Sequence, residues 1–170
     1  MAQEALGRLF DISAGIVPVD SQTAAMTGKR VSLKNAGGCT IVVFKAAGTA
    51  NDDPVLDLQQ HTAASGGTTA DLDIIDHYYI KQEATLDGDE TWTRVTQSAA
   101  SEVTLNSTSA ETQMIVVIEV DARSLSDGYD YISLDIADTG SAGAQLISCL
   151  YLLRDLAVQR TPANLIAPLS

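Results

Sequence analysis

The stretch Met114-Ile115-Val116-Val117-Ile118-Glu119-Val120, followed after a loop by Tyr129 to Ile136, decides the fold class. Both runs concentrate β-branched and aromatic residues, which fit a pleated, half-buried surface. Met114, Val116, Ile118 and Val120 fall on one face of the first run, while Ile132, Leu134 and Ile136 alternate with Tyr131, Ser133 and Asp135 in the second. A period of two marks a strand with one side against a core. Asp127-Gly128 supplies turn chemistry between the runs, so the sequence predicts that the two strands pair with each other.

The same reading extends outward along the chain. Cys39 to Phe44 is nearly continuous in apolar residues and predicts a central strand covered on both faces. Before it, Arg30 to Lys34 places Val31 and Leu33 on one side, and Asn35-Ala36-Gly37-Gly38 turns the chain. Val55 to His61 sets Leu56, Leu58 and Gln60 on one face. Leu72 to Glu83 and Trp92 to Thr96 flank Asp87-Gly88-Asp89-Glu90, which predicts a hairpin with a longer loop. Ser98 to Glu111, rich in Ser, Thr and Ala, reads as a surface excursion. Gln145 to Val158 fits two periods. Leu146, Leu150, Leu153 and Ala157 have helical spacing, but the density of Leu, Ile, Cys and Tyr also suits a buried strand through Leu153, and the strand is the preferred reading. Turns recurring at about 8–12 residues, without helical crossovers, predict an all-β, jelly-roll-like antiparallel β-sandwich of about eight strands.

The two ends depart from this pattern. Residues 1–28 mix apolar and small polar residues without a sustained period, and Pro18 interrupts Ile16-Val17, which predicts an extended N-terminal arm before a sandwich domain over 29–159. In the tail, 160–170, Pro162 and Pro168 exclude a regular helix or central strand. Leu165, Ile166 and Leu169 are nevertheless apolar, as befits an extended peptide lying in a partner's groove, with a loose end as the alternative. Leu9, Phe10, Ile16 and Val17 in the arm, with Leu165, Ile166 and Leu169 in the tail, are the candidate partner-binding residues.

At 170 residues the chain is long enough for one self-sufficient core. Its formal net charge of −12 argues against a nucleic-acid surface, because phosphate binding is driven by Lys and Arg. No stretch approaches the roughly 20 apolar residues of a membrane-spanning helix. The first ten residues lack a basic region followed by an apolar one, so no secretory signal is expected and synthesis is placed in the cytoplasm. Cys39 and Cys149 have no Cys-x-x-Cys spacing and read as buried free thiols, with a disulfide as the alternative that cytoplasmic synthesis disfavours.

Catalytic signatures are missing at the level of motif. Asp52-Asp53 and Asp87 with Asp89 are the visible carboxylate pairs, and their Gly and Pro neighbours account for them as turn residues rather than glycosidase groups. Asp87-Gly88-Asp89-Glu90 has oxygen ligands for Ca²⁺ but lacks EF-hand spacing. His61 and His77 lack zinc spacing, and there is neither a Gly-x-Ser-x-Gly elbow nor a phosphate-binding glycine loop. No catalytic residue, metal site or cofactor is therefore expected. Trp92, Tyr78 and Tyr79 offer a sugar platform, against a packing role in the hairpin. Asn106-Ser107-Thr108 matches a glycosylation sequon by chance in a chain without a signal.

Residues 84–97 (ATLDGDETWTRVTQ), residues 125–135 (LSDGYDYISLD) and Leu152-Leu153-Arg154-Asp155-Leu156 resemble small virion proteins of tailed bacteriophages, a likeness spanning residues 30 to 165. The resemblance implies an auxiliary capsid subunit, also called a decoration or minor capsid protein, that binds major capsid protein and neighbouring copies of itself on the virion surface, with a trimer as the implied assembly. A neck or tail protein is the nearest alternative. A carbohydrate-binding module for host adsorption, stacking sugars on Trp92 and Tyr78 or Tyr79, is a second class, and a hydrolase comes last.

Overall fold

The computed structural model describes residues 4–105, 111–140 and 143–169. Its strands are β1 (Phe10–Asp20), β2 (Val31–Ser32), β3 (Ala36–Lys45), β4 (Val55–His61), β5 (Thr69–Asp71), β6 (Ile75–Glu83), β7 (Thr93–Ala100), β8 (Glu102–Thr104), β9 (Gln113–Asp121), β10 (Tyr131–Ile136) and β11 (Leu146–Leu156). Short 3-10 turns cover Ala122–Ser124 and Pro162–Asn164. Among the described residues the strands form two antiparallel sheets, one ordered β1-β11-β3-β9-β6-β7 and the other β2-β10-β4-β5, with β8 also paired to β4. The all-β sandwich that alternation predicts is the observed architecture. From β1 to β4 and again from β9 to β11 successive strands cross between layers.

Residues 145–158 contain a strand, as preferred: β11 pairs with β3 over nine register positions, and the long ladder satisfies backbone groups that a helix would satisfy internally. The hairpin of β6 and β7 also forms as predicted. Three expectations are corrected. First, β9 and β10 do not pair with each other. β9 lies between β3 and β6, β10 lies between β4 and β2, and Asp127-Gly128 sits in a connection that crosses layers. A period of two specifies that one face is buried but not which strand is the neighbour.

Second, the stretch expected to be an extended docking arm supplies, over Phe10–Asp20, an edge strand of the sandwich itself. Phe10 to Asp20 pairs with β11 from Phe10↔Arg154 to Asp20↔Leu146, and two register shifts around Gly15 and Pro18 absorb the irregularity that disguised the strand. A proline is tolerated because β1 is at the sheet edge. Third, the expected surface excursion is not simply that over residues 98–105, because β8 pairs with β4 and both Val103 and Leu105 are buried. The sequon at 106–108 lies outside the described residues.

The core fills the space between sheets. Cys39, Ile41 and Val43 from β3, Val116 and Ile118 from β9, and Ile147 and Cys149 from β11 meet Leu56, Leu58, Ile132 and Leu134 from the opposite layer. Each such aliphatic side chain contributes about 1.5–3 kcal/mol on burial. Tyr151 ties the layers together: its hydroxyl accepts the backbone N–H of Leu134 at 2.9 Å. Gly15 and Gly28 make room for it, since a Cβ at Gly15 would stand 2.6 Å from the Tyr151 ring and one at Gly28 would stand 3.0 Å from its hydroxyl. Cys39 and Cys149 are free and buried, and burial pushes both thiols up, Cys39 to about 12, which leaves them inert.

Candidate interaction surface

The alternation that points one set of side chains into the core must point the other set outward. On the six-stranded sheet that second set is unusually apolar. One row runs across five strands, from Leu150 through Val42, Val117 and Tyr79 to Arg94. The next row holds Ser148, Phe44, Ile115 and Lys81, and on the other side Leu152, Thr40 and Glu119 continue the face. Ile12, Val17, Phe44, Trp92, Leu146 and Leu150 are each 44–56% exposed. β3 is central as predicted, but its second face is open rather than covered: Thr40 and Val42 are half-buried by their own neighbours and Phe44 is exposed.

Soluble proteins rarely leave such a contiguous patch bare, and scattered single exposures do not form one. At its β6–β7 end the patch turns aromatic. Tyr79 and Trp92 line a shallow hollow with Val117 and Glu119, and the Lys81 ammonium stands 5.2 Å from the Trp92 ring centroid. Tyr78 points the other way and is buried in the core, so the predicted aromatic platform is Trp92 with Tyr79 and excludes Tyr78.

The predicted partner-binding residues divide in a similar manner. Ile16 is buried between the sheets and is a core residue, which removes it from any interface. Val17, next to it, belongs to the exposed face. Phe10 is half-buried, and Leu9 is 67% exposed. The tail folds back on its own body: Arg160 N–H donates to Gly7 O, and Ser32 N–H donates to Pro168 O, which continues the edge of β2. Leu165 and Pro168 line a crevice with Leu153 and Leu156, while Ile166 and Leu169 remain exposed. The groove that the apolar tail called for is thus found in the same chain. Sequence reasoning missed Ile12, Phe44, Leu146 and Leu150 as surface residues, because an exposed apolar position in a strand reads the same as a buried one.

On the outside of the other sheet the situation is reversed. His61 and Ser133 point away from the core yet are buried, with His61 Nε2 2.9 Å from Ser133 Oγ and His61 Nδ1 2.9 Å from Thr69 Oγ1. Ser133 donates to Asp135 Oδ1, which also accepts Gly28 N–H. The Arg30 guanidinium closes over them, donating to Ala63 O and Gly66 O at 2.8 and 2.6 Å. Burial, and secondarily the Arg30 charge, lower His61 to about 4, and burial raises Asp135. A serine, a histidine and an aspartate meet here, but the carboxylate holds the serine instead of the imidazole, and the hydroxyl is fully buried. That geometry satisfies polar groups and does not activate a nucleophile.

The tight connection at 87–90 gathers a fourth carboxylate, Glu83, so that one oxygen from each of Glu83, Asp87, Asp89 and Glu90 lies within 4.8 Å of the others. Hard cations favour such oxygens. Glu90 already accepts the backbone N–H groups of Asp87 and Gly88, so it shapes the turn. Asp53, with Asp52 next to it, lies beside Lys45, a fully buried lysine at the end of β3 whose ammonium donates to Ala46 O and Thr112 O; burial lowers it to about 8, with Asp53 opposing. Nothing in the residue types around 45 announces that burial.

In comparison with protein families, curated proteins and solved structures, the chain matches no family model, no curated protein and no solved structure.

Proposed function

We propose that this chain is a non-enzymatic structural subunit whose work is adhesion, and that it serves in the virion of a tailed bacteriophage, decorating the capsid by binding major capsid protein and copies of itself. The observation that carries the adhesion reading is the uncovered apolar face of the six-stranded sheet, which has the composition of an interface and sits on an otherwise acidic body. The virion assignment draws on the sequence resemblance. Acidity suits an outer shell position away from packaged DNA, and repetition on a symmetric lattice turns modest contacts into firm attachment. Leu9, Ile166 and Leu169 remain partner-binding candidates at the terminal end of the molecule.

The test is occupancy on purified particles. The chain is expected at stoichiometric copy number on shells of major capsid protein, visible as density on the outer surface, with occupancy falling when residues 160–170 are removed. Recovery only as free protein would sink the assignment, and density at the neck or tail would move it to that alternative. The Tyr79–Trp92 hollow favours a second reading, host-surface glycan binding. In that case Trp92→Ala abolishes retention on a glycan array while the fold is kept.

A further inference from the structure

From the outer face of the six-stranded sheet we infer that its occupant is the same face of a second copy, in a two-fold dimer with the sheets stacked. Size is the first argument. Six strands spaced by about 4.8 Å, each nine or so residues long at about 3.3 Å, present on the order of 700 Å², close to the roughly 800 Å² per partner of a standard stable interface.

Charge is the second. The chain carries 22 acidic and 10 basic residues, yet across this face the carboxylates of Glu83, Glu119 and Asp121 are matched by Lys81, Arg94 and Arg154. A basic partner would find little to bind there. A like-charged copy can approach through a face whose charges balance in this way.

Register supplies the third. Glu119 lies two residues to one side of Val117, and Ile115, with Lys81 directly beside it, lies two residues to the other. A two-fold axis across the strands at Val117 brings Glu119 of one copy toward Lys81 of the other, twice by symmetry. Face-to-face sheets pack about 10 Å apart with strands nearly aligned, and the axis satisfies that geometry. Phe44 and Leu150 then lose their exposure to water. The inference rests on the adhesion half of the proposed function and is independent of the virion half.

Sedimentation equilibrium of the full chain tests it. The expected species has twice the 17.9 kDa of one chain, and added salt tightens the association by screening the repulsion between two acidic bodies. Leu150→Glu weakens the dimer about 100-fold or more by placing a charge in the apolar central row of the interface. Lys81→Glu and Glu119→Lys each weaken it at least about tenfold, and the double charge swap restores it. Those two residues are on the surface, so the swap remains decisive even if Leu150→Glu misfolds. A chain that stays monomeric, forms a trimer, dissociates in salt or shows no restoration in the double variant overturns the dimer. Absence from particles with the dimer intact would instead fail the virion assignment alone.

Discussion

Phe44 and His61 stand at or near the ends of strands in opposite layers, both on the side facing away from the core, yet Phe44 is 54% exposed and His61 only 3%. Apolar residues line an open face, and polar residues line a covered one. The difference teaches that outward position and exposure are separate properties in a sandwich. The five-stranded sheet has Arg30 and the 62–69 loop to roof its polar layer, and that roof is held by specific hydrogen bonds to loop carbonyls. On the six-stranded sheet no described element lies across the row from Leu150 to Tyr79.

The comparison breaks most visibly at one pair of neighbours in β9. Ile118→Ala, on the inner side, should cost about 2–5 kcal/mol in urea unfolding, because it leaves a cavity between sheets. Val117→Ala, one residue away on the outer side, should cost less than about 1 kcal/mol when measured at a concentration low enough to keep copies apart. Equal losses would mean that the outer face is packed.

The covered polar layer predicts a pH dependence. His61 holds its proton less tightly in the folded state than in the unfolded chain, so its contribution is whole above pH 6.5 and is lost as pH falls toward about 4. The loss should approach about 3 kcal/mol, roughly the free energy that separates a pKa of 6.5 from one of about 4. Asp135, raised by burial, works in the opposite direction at the lower end of the window, so the His61→Gln variant isolates the imidazole. A variant with the same pH profile as the parent would show that His61 does not titrate in this way.

Tyr151→Phe should destabilise by about 1–3 kcal/mol, because the buried Leu134 N–H loses its acceptor while the ring still fills the space beside Gly15. Hydrogen exchange at the Leu134 amide reads the effect directly. The smallest change is expected at the open face, where Leu150→Thr should alter monomer stability by no more than about 0.5 kcal/mol while weakening self-association. A large loss of monomer stability there would place Leu150 in a core.

Much of the fold was legible. The alternation in β9, β10 and β4 fixed which residues face inward, and the Leu, Ile and Tyr density of β11 outweighed its helical spacing. β1 was hidden because two bulges and Pro18 break the period that identifies a strand. The site was less legible. Cys39 to Phe44 reads as a strand covered twice, since nothing in a run of apolar residues reports whether a second layer exists. The Tyr78-Tyr79 pair could not be divided into core and surface until pairing with β7 and β9 fixed the side each took.

What the residues determined alone was local: extended backbone, the inner and outer sets of each strand, the acidity and the turns. Those follow from side-chain stereochemistry and a period of two, which need no distant neighbour. Only the tertiary structure decided that β9 and β10 belong to different layers, that the tail docks on its own body, and that the polar outer face is roofed while the apolar one is bare. These depend on contacts between residues far apart in sequence, where many arrangements share one alternation and differ in what each face meets.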